Sequence, residues 1–337
     1  MNRPTRREAL ALLGVLAAAA CRPGAAARTE AAPPPPPLAL DPLVDLVPAA
    51  GLAWLVELRP HELLATPALA SAVSLVVPAP RFDAFAAGHG GVDLRHLACL
   101  VVAGYADATL ALARGPVEPA RVEAAFAARA VAVEGRAVDA GVTRLWGSVG
   151  AEREQVALFH GESGDAVGLE RGHLGPLRAA VYFAQGKLRR ALPALRAEPL
   201  VHVAKLLGEA PVRAFAPGPF EGSWARGLGG LLGATTAVGA SLRPVDHPPH
   251  GALVLQAVLL GAWGTDAPEA AERLAAAFQL LASDSLGRLL GFDHPLEEAR
   301  VSGDAEALRL QLVLDPVDLA HGVQAATDAR VSEIMQY

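Results

Sequence analysis

Asp246, His247 and His250 stand in the segment DHPPH, and Asp293–His294–Pro295 repeats its first three letters. Carboxylates and neutral imidazoles are zinc ligands. Asp246, His247, His250 and His294 could hold an ion between them if their two loops met. The same letters have a plainer use. Asp ahead of proline is ordinary turn chemistry, and Pro248 and Pro249 keep the segment extended. The expected state is a chain without metal or cofactor, with these four side chains as the candidates if a metal is held.

Three other segments approach catalytic motifs and miss them. GESGD (Gly161–Asp165) is one residue off the G-x-S-x-G nucleophile elbow. Its surroundings predict a hairpin, not the strand-to-helix turn that exposes such a serine. HELLA (His61–Ala65) lacks the second histidine of H-E-x-x-H. GLGGLLG (Gly227–Gly233) does not fit G-x-G-x-x-G, and a closely packed glycine-rich helix is the expectation. No catalytic residue is assigned, and no enzymatic activity is expected.

The chain has 337 residues, 52% hydrophobic and 19% charged. This supports a sizeable core and places disorder at the ends only. The net charge is −6. Residues 1–20 carry Arg3, Arg6, Arg7 and Glu8, so a chain cut after Ala20 is two charges more acidic. Phosphate affinity needs clustered cations. The basic cluster KLRR, with Lys187, Arg189 and Arg190, reads as a solvated helix face. Nucleic acid is therefore not an expected partner.

The elements around these residues begin with an address. Arg3, Arg6 and Arg7 precede the apolar run Ala9–Ala20. As a helix that run spans about 18 Å, against a hydrocarbon core of about 30 Å. A positive start, a short apolar stretch and small residues at its end make a secretory signal, not a spanning helix. Ala18-Ala19-Ala20-Cys21 resembles the lipobox of bacterial lipoproteins, with Ala18 where leucine is usual. The resemblance implies cleavage between Ala20 and Cys21 and a lipid on the Cys21 sulfur. TRREALA (Thr5–Ala11) resembles a twin-arginine export signal, with Ala9 where phenylalanine is common. An ordinary secretory peptide with an incidental cysteine is the alternative. The other cysteine, Cys99, lies in an apolar strand-like run and reads as a small core residue. If Cys21 is acylated, no internal disulfide is possible.

Arg22–Pro37 is rich in Ala, Pro and Gly and ends in five prolines. In polyproline II geometry it reaches about 50 Å, enough to hold a body away from a bilayer. The body starts near Leu38 and shows an internal repeat. VEAAF (Val122–Phe126) matches LAAAF (Leu274–Phe278). Two strand-like runs precede each, and a hairpin with the turn Ser-Gly-Asp-Ala follows each, at Ser163–Ala166 and Ser302–Ala305. The helix offset is 152 and the turn offset 139, so the first copy holds about thirteen extra residues, placed in GRAVDAGVTRLWGSVGAERE (Gly135–Glu154). Asp266 with Glu269 reads as a capping box, and Asp315 as a cap ahead of Pro316. The run GALVLQAVLLGAWG (Gly251–Gly264) reads as a buried strand.

The expected fold is α+β, a tandem duplication of a β-α-β-β-α-β-β unit with antiparallel sheets and helices packed on one face. The strands read as apolar on both faces, so cover on both sides or edge-to-edge joining stays open. The divisions are a signal peptide (1–20), a lipidated cysteine with Pro-rich tether (21–37), a first repeat (38–198) and a second (199–337).

From Ala31 onward the chain resembles uncharacterised myxobacterial-type lipoproteins. The likeness rests on Cys21, the Pro-rich spacer, GATTAVGASLRP (Gly233–Pro244) and SDSLGRLLGFDHP (Ser283–Pro295). It implies location and a duplicated fold, and no catalytic residue. The expected protein is exported and lipid-anchored, at the outer membrane facing the periplasm, with membrane lipid as partner through Cys21. It is read as a non-catalytic binding or assembly module, with an envelope protein as the possible partner. A carrier of an apolar ligand is the alternative, and a roomy apolar cavity would favour it. A metal-dependent hydrolase is the third reading.

Overall fold

A computed structural model describes residues 37–162, 164–188, 190–247 and 251–334. Ala20, Cys21, Ser163, Arg189 and His250 lie outside the described residues. The first half holds β1 (Leu52–Leu58), α1 (Pro60–Leu64), α2 (Pro67–Val76), α3 (Ala79–Gly88), β2 (Cys99–Tyr105), β3 (Ala108–Arg114) and α4 (Pro119–Arg129). It continues with β4 (Ala132–Asp139), β5 (Val142–Val149), β6 (Glu152–Phe159), β7 (Ala166–Gly172) and α5 (Pro176–Ala184). The second holds α6 (Leu200–Leu207), β8 (Val212–Pro217), β9 (Thr235–Val245), β10 (Ala252–Gly261), α7 (Ala267–Ser283), α8 (Ser285–Leu289), β11 (Glu297–Gly303), β12 (Ala307–Leu314) and α9 (Pro316–Ile334).

The strands form one sheet in the order β11-β12-β10-β9-β8-β1-β2-β3-β7-β6-β5-β4. Every neighbouring pair is antiparallel. The mixed helix-and-sheet class agrees with the expectation, and two details differ. The residues assigned to two repeats share a single sheet, because β1 pairs with β8 from Leu55↔Phe215 to Leu58↔Val212. Helices cover both faces, not one.

The alternation of side chains explains the second difference. Val101, Ala103, Leu110, Leu112, Val258 and Leu260 bury against α5, α6 and the turn Leu43–Leu46. Their neighbours point the other way. Val156 and Leu158 meet α4, and Leu259, Leu308 and Leu312 meet α7. A strand that is apolar on both sides has to be covered on both. Close approach helps on the first face: a Cβ on Gly239 would lie 2.3 Å from Val203 Cγ1 and 2.7 Å from Leu207 Cδ1 of α6.

α7 starts with proline in its first turn and buries Ala267, Ala270, Leu274, Phe278 and Ala282, a stripe at helical spacing. The capping box expected at its start is not formed. Asp266 is itself in helical conformation and makes no side-chain cap bond, because a tight turn from Gly264 runs straight into the helix. Asp315 does cap α9, its Oδ1 accepting from the amides of Val317 at 2.7 Å and Asp318 at 3.3 Å. The two matched turns use glycine differently. Gly164 takes φ +112°, the left-handed side that favours glycine. Gly303 needs smallness, since a Cβ there would sit 2.8 Å from Leu308 and 2.9 Å from the Ala267 carbonyl oxygen. Leu228–Ala234 is not the continuous helix expected, because Gly229 and Gly230 break it at φ +66° and +85°. Among the described residues no single helix is long and apolar enough to cross a membrane.

Candidate apolar binding site

A cavity of about 360 Å³ lies over the centre of the second face. Its floor is a row of directly paired residues on four adjacent strands, Leu100 on β2, Leu58 on β1, Val212 on β8 and Leu242 on β9. Leu253 of β10 extends it. The period-2 pattern puts these residues on one face because VEL and VRAF alternate in phase across the β1–β8 seam.

The roof comes from residues 60–95, between β1 and β2. α1 supplies Leu63 and Leu64, α2 supplies Leu69, Ala72, Val73 and Val76, and α3 supplies Phe82. Pro67 and Pro80 stand in the first turns of α2 and α3, and Pro78 lies between the two helices. Proline fixes the entry to a helix and stops the previous one, so the roof is three short helices instead of one long one. α9 adds Leu319, Ala320 and Val323 to the lining. The volume falls within the roughly 300–1,000 Å³ usual for small-molecule sites.

Among the described residues Arg95 is the one charged residue in the lining. Its Nη2 is 2.7 Å from Asp93 Oδ2 and 2.7 Å from Asp83 Oδ1. Its guanidinium stands 5.5 Å from the Phe82 ring centroid, within cation–π range. The hydrogen bonds to Asp93 and then Asp83 push the arginine pKa up, and the same Arg95 contact pulls Asp93 below the ordinary carboxylate value. The head group is thus already held by two carboxylates, and what Arg95 offers the cavity is its carbon stem.

The zinc candidates are not gathered here. Asp246 and His247 follow β9. His294 lies before β11, its Nδ1 2.6 Å from Asp293 Oδ1 and its Nε2 3.5 Å from Asp318 Oδ2. Among the described residues no group of three His, Cys, Asp or Glu is placed to hold a metal. Cys99 is a buried free thiol, and burial pushes its pKa up to about 11. That suits a core residue and not a nucleophile.

The cavity itself was not legible in the sequence. Its lining is scattered from Leu58 to Val323, and no local motif marks it. The chain matches no family model, and no curated protein or solved structure matches it.

Proposed function

We propose that this chain is a lipid-anchored protein of the bacterial cell envelope whose folded body holds a hydrocarbon ligand and performs no catalysis. The cavity carries the reading: about 360 Å³ of space bounded almost wholly by Leu, Val, Ala and Pro, over the middle of the sheet. Empty apolar space forfeits dispersion contacts and costs stability. A ligand that fills it returns them, whereas an assembly surface has no need of such a void. This places apolar-ligand carriage ahead of an envelope-protein assembly role. A metal-dependent hydrolase draws no support from the placement of Asp246, His247 and His294.

N-phenyl-1-naphthylamine, which fluoresces in apolar surroundings, is expected to bind the mature chain saturably at about one site per molecule. Ala72 lines the cavity and is buried. Ala72→Phe should fill the space and weaken the dye by about tenfold or more, with an unchanged or raised melting temperature. A wild-type chain with no saturable site would sink the proposal. So would an Ala72→Phe chain that binds as well as wild type.

Attachment belongs to the same proposal. Cleavage behind Ala20 and acylation of Cys21 hold the body at the outer membrane on the periplasmic side, with Arg22–Pro37 as spacer. One acyl chain binds a membrane only marginally and two bind it stably. Cys21→Ala is expected to move the protein from the membrane to the soluble fraction of the producing cells. An unchanged membrane fraction would count against the anchor.

The tandem duplication, residues 38–198 and 199–337, is likewise proposed. Outward from the seam, β1-β2-β3-β7-β6 on one side corresponds to β8-β9-β10-β12-β11 on the other. α4 follows β3 as α7 follows β10. The surplus pair β4 and β5 spans Ala132–Val149, largely the segment to which the extra residues were assigned. The test is whether one two-fold rotation superposes both sets of strands and both helices; separate rotations for strands and helices would contradict it.

A further inference from the structure

A second cavity, of about 70 Å³, shares Leu94 and Leu100 with the first. It lies further along the same floor. The row of directly paired residues that runs from Leu242 through Val212 and Leu58 to Leu100 continues to Ala113 on β3 and Val167 on β7. Ala113 and Val167 line the smaller cavity. The hollow follows from side-chain size. β3 brings only Ala111 and Ala113 to it, where the flanking strands bring Leu100, Val167 and Leu169. The whole row crosses six neighbouring strands, β9-β8-β1-β2-β3-β7, a line of about 24 Å at the usual strand spacing.

The smaller lining is almost wholly apolar to a guest. His89 Nε2 and Arg129 Nε are buried and expose essentially no surface. His89 Nδ1 is 2.9 Å from the Phe85 carbonyl oxygen, and Arg129 Nη2 is 2.9 Å from Glu154 Oε1. A polar head placed there would lose its water and gain nothing. Size narrows the guest further. About 70 Å³ is room for two or three water-sized groups at about 30 Å³ each, hence two or three carbons and not a ring. A bilayer core of about 30 Å is two acyl chains deep, about 15 Å for each. The row is therefore long enough for one chain laid along it.

Resting on the hydrocarbon-ligand reading above, we infer that the smaller cavity takes the methyl end of a single unbranched chain whose body lies in the larger one. Leu94 and Leu100 form the neck between them. The polar head stays outside both linings, since the Arg95 guanidinium is already held by Asp83 and Asp93. The site then measures chain length. Each carbon added within the lining tightens binding by about fourfold, the worth of one buried methylene. Once the smaller cavity is full, a further carbon adds nothing.

The test is displacement of N-phenyl-1-naphthylamine from the mature chain by straight-chain primary alcohols of increasing length. Affinity is expected to climb by about fourfold per carbon to a limiting length and then level off. Ala113 is buried and lines the smaller cavity but not the larger. Ala113→Leu fills that space and should lower the limiting length by two or three carbons. Shorter alcohols should bind it as they bind the wild type. Ala111→Leu fills the same cavity from the next position on that face, and it serves if Ala113→Leu does not fold. An unchanged limit in the folded variant overturns the inference and makes the smaller cavity a packing void. Equal weakening at every length overturns it too, since that marks a structural role. So does affinity that climbs through the whole series without a limit. If the dye binds and no alcohol displaces it, this inference falls and the hydrocarbon reading stands. If the dye finds no site, both fall.

Discussion

Arg213→Met is expected to destabilise the body by about 3–5 kcal/mol, the usual result of removing one partner from a buried ion pair. Glu57 and Arg213 face each other across β1 and β8. Their side chains are 6% and 8% exposed. Arg213 donates to Glu57 Oε2 from Nε at 2.9 Å and from Nη2 at 2.5 Å, and to the Gly208 carbonyl from Nη1 at 3.1 Å. Methionine fits the arginine stem but leaves Glu57 charged, buried and unpaired. Arg59 is no ready substitute, because Glu209 already holds it. The double variant Glu57→Leu/Arg213→Met removes the charge with its partner. It should return to within about 1 kcal/mol of wild type, since hydrophobic replacement of whole buried pairs is often neutral. Urea unfolding of the four chains of this cycle measures both terms. A loss below about 1 kcal/mol in Arg213→Met would show that the seam does not depend on the pair.

The same pair explains why the seam was hard to read. VEL and VRA each carry a charged residue in a strand that is otherwise apolar, and nothing local to either segment marks the other as its partner. Their meeting depends on Glu57 and Arg213 cancelling, which no local period announces. What was legible had strong periodicity or turn chemistry: β2 with β3, β9 with β10, both late hairpins, α4, α7 and the Asp315 cap. Helix placement was left open, because strands such as Cys99–Tyr105 carry apolar residues on both faces. The candidate site was least visible. Its floor residues belong to five strands, its roof to three short helices, and α9 supplies one side.

Phe126→Ala and Phe278→Ala are each expected to cost about 3–5 kcal/mol, the range for emptying a buried aromatic site. The two phenylalanines end the matched segments VEAAF and LAAAF, and are 0% and 3% exposed. Phe126 packs among Val92, Leu97, Leu145, Val156 and Leu158. Phe278 packs among Leu69, Leu253, Leu312 and Leu314, with the Phe292 ring 6.2 Å away. Because the clusters share no member, the costs should add. Leu69 decides how the loss spreads. It belongs to α2, in residues 38–198, yet Phe278 of α7 rests in the same cluster. α9 also packs on α2 across the same boundary. The sheet is continuous through β1 and β8, so neither half keeps its cover when the other unfolds. Each single variant should therefore unfold in one urea transition, followed alike by circular dichroism and tryptophan fluorescence. Two separated transitions, with only the later half retained in Phe126→Ala, would mean two independent domains. In the double variant a summed loss of about 6–10 kcal/mol is as large as the total stability of many domains, about 5–15 kcal/mol. That chain should be largely unfolded without denaturant.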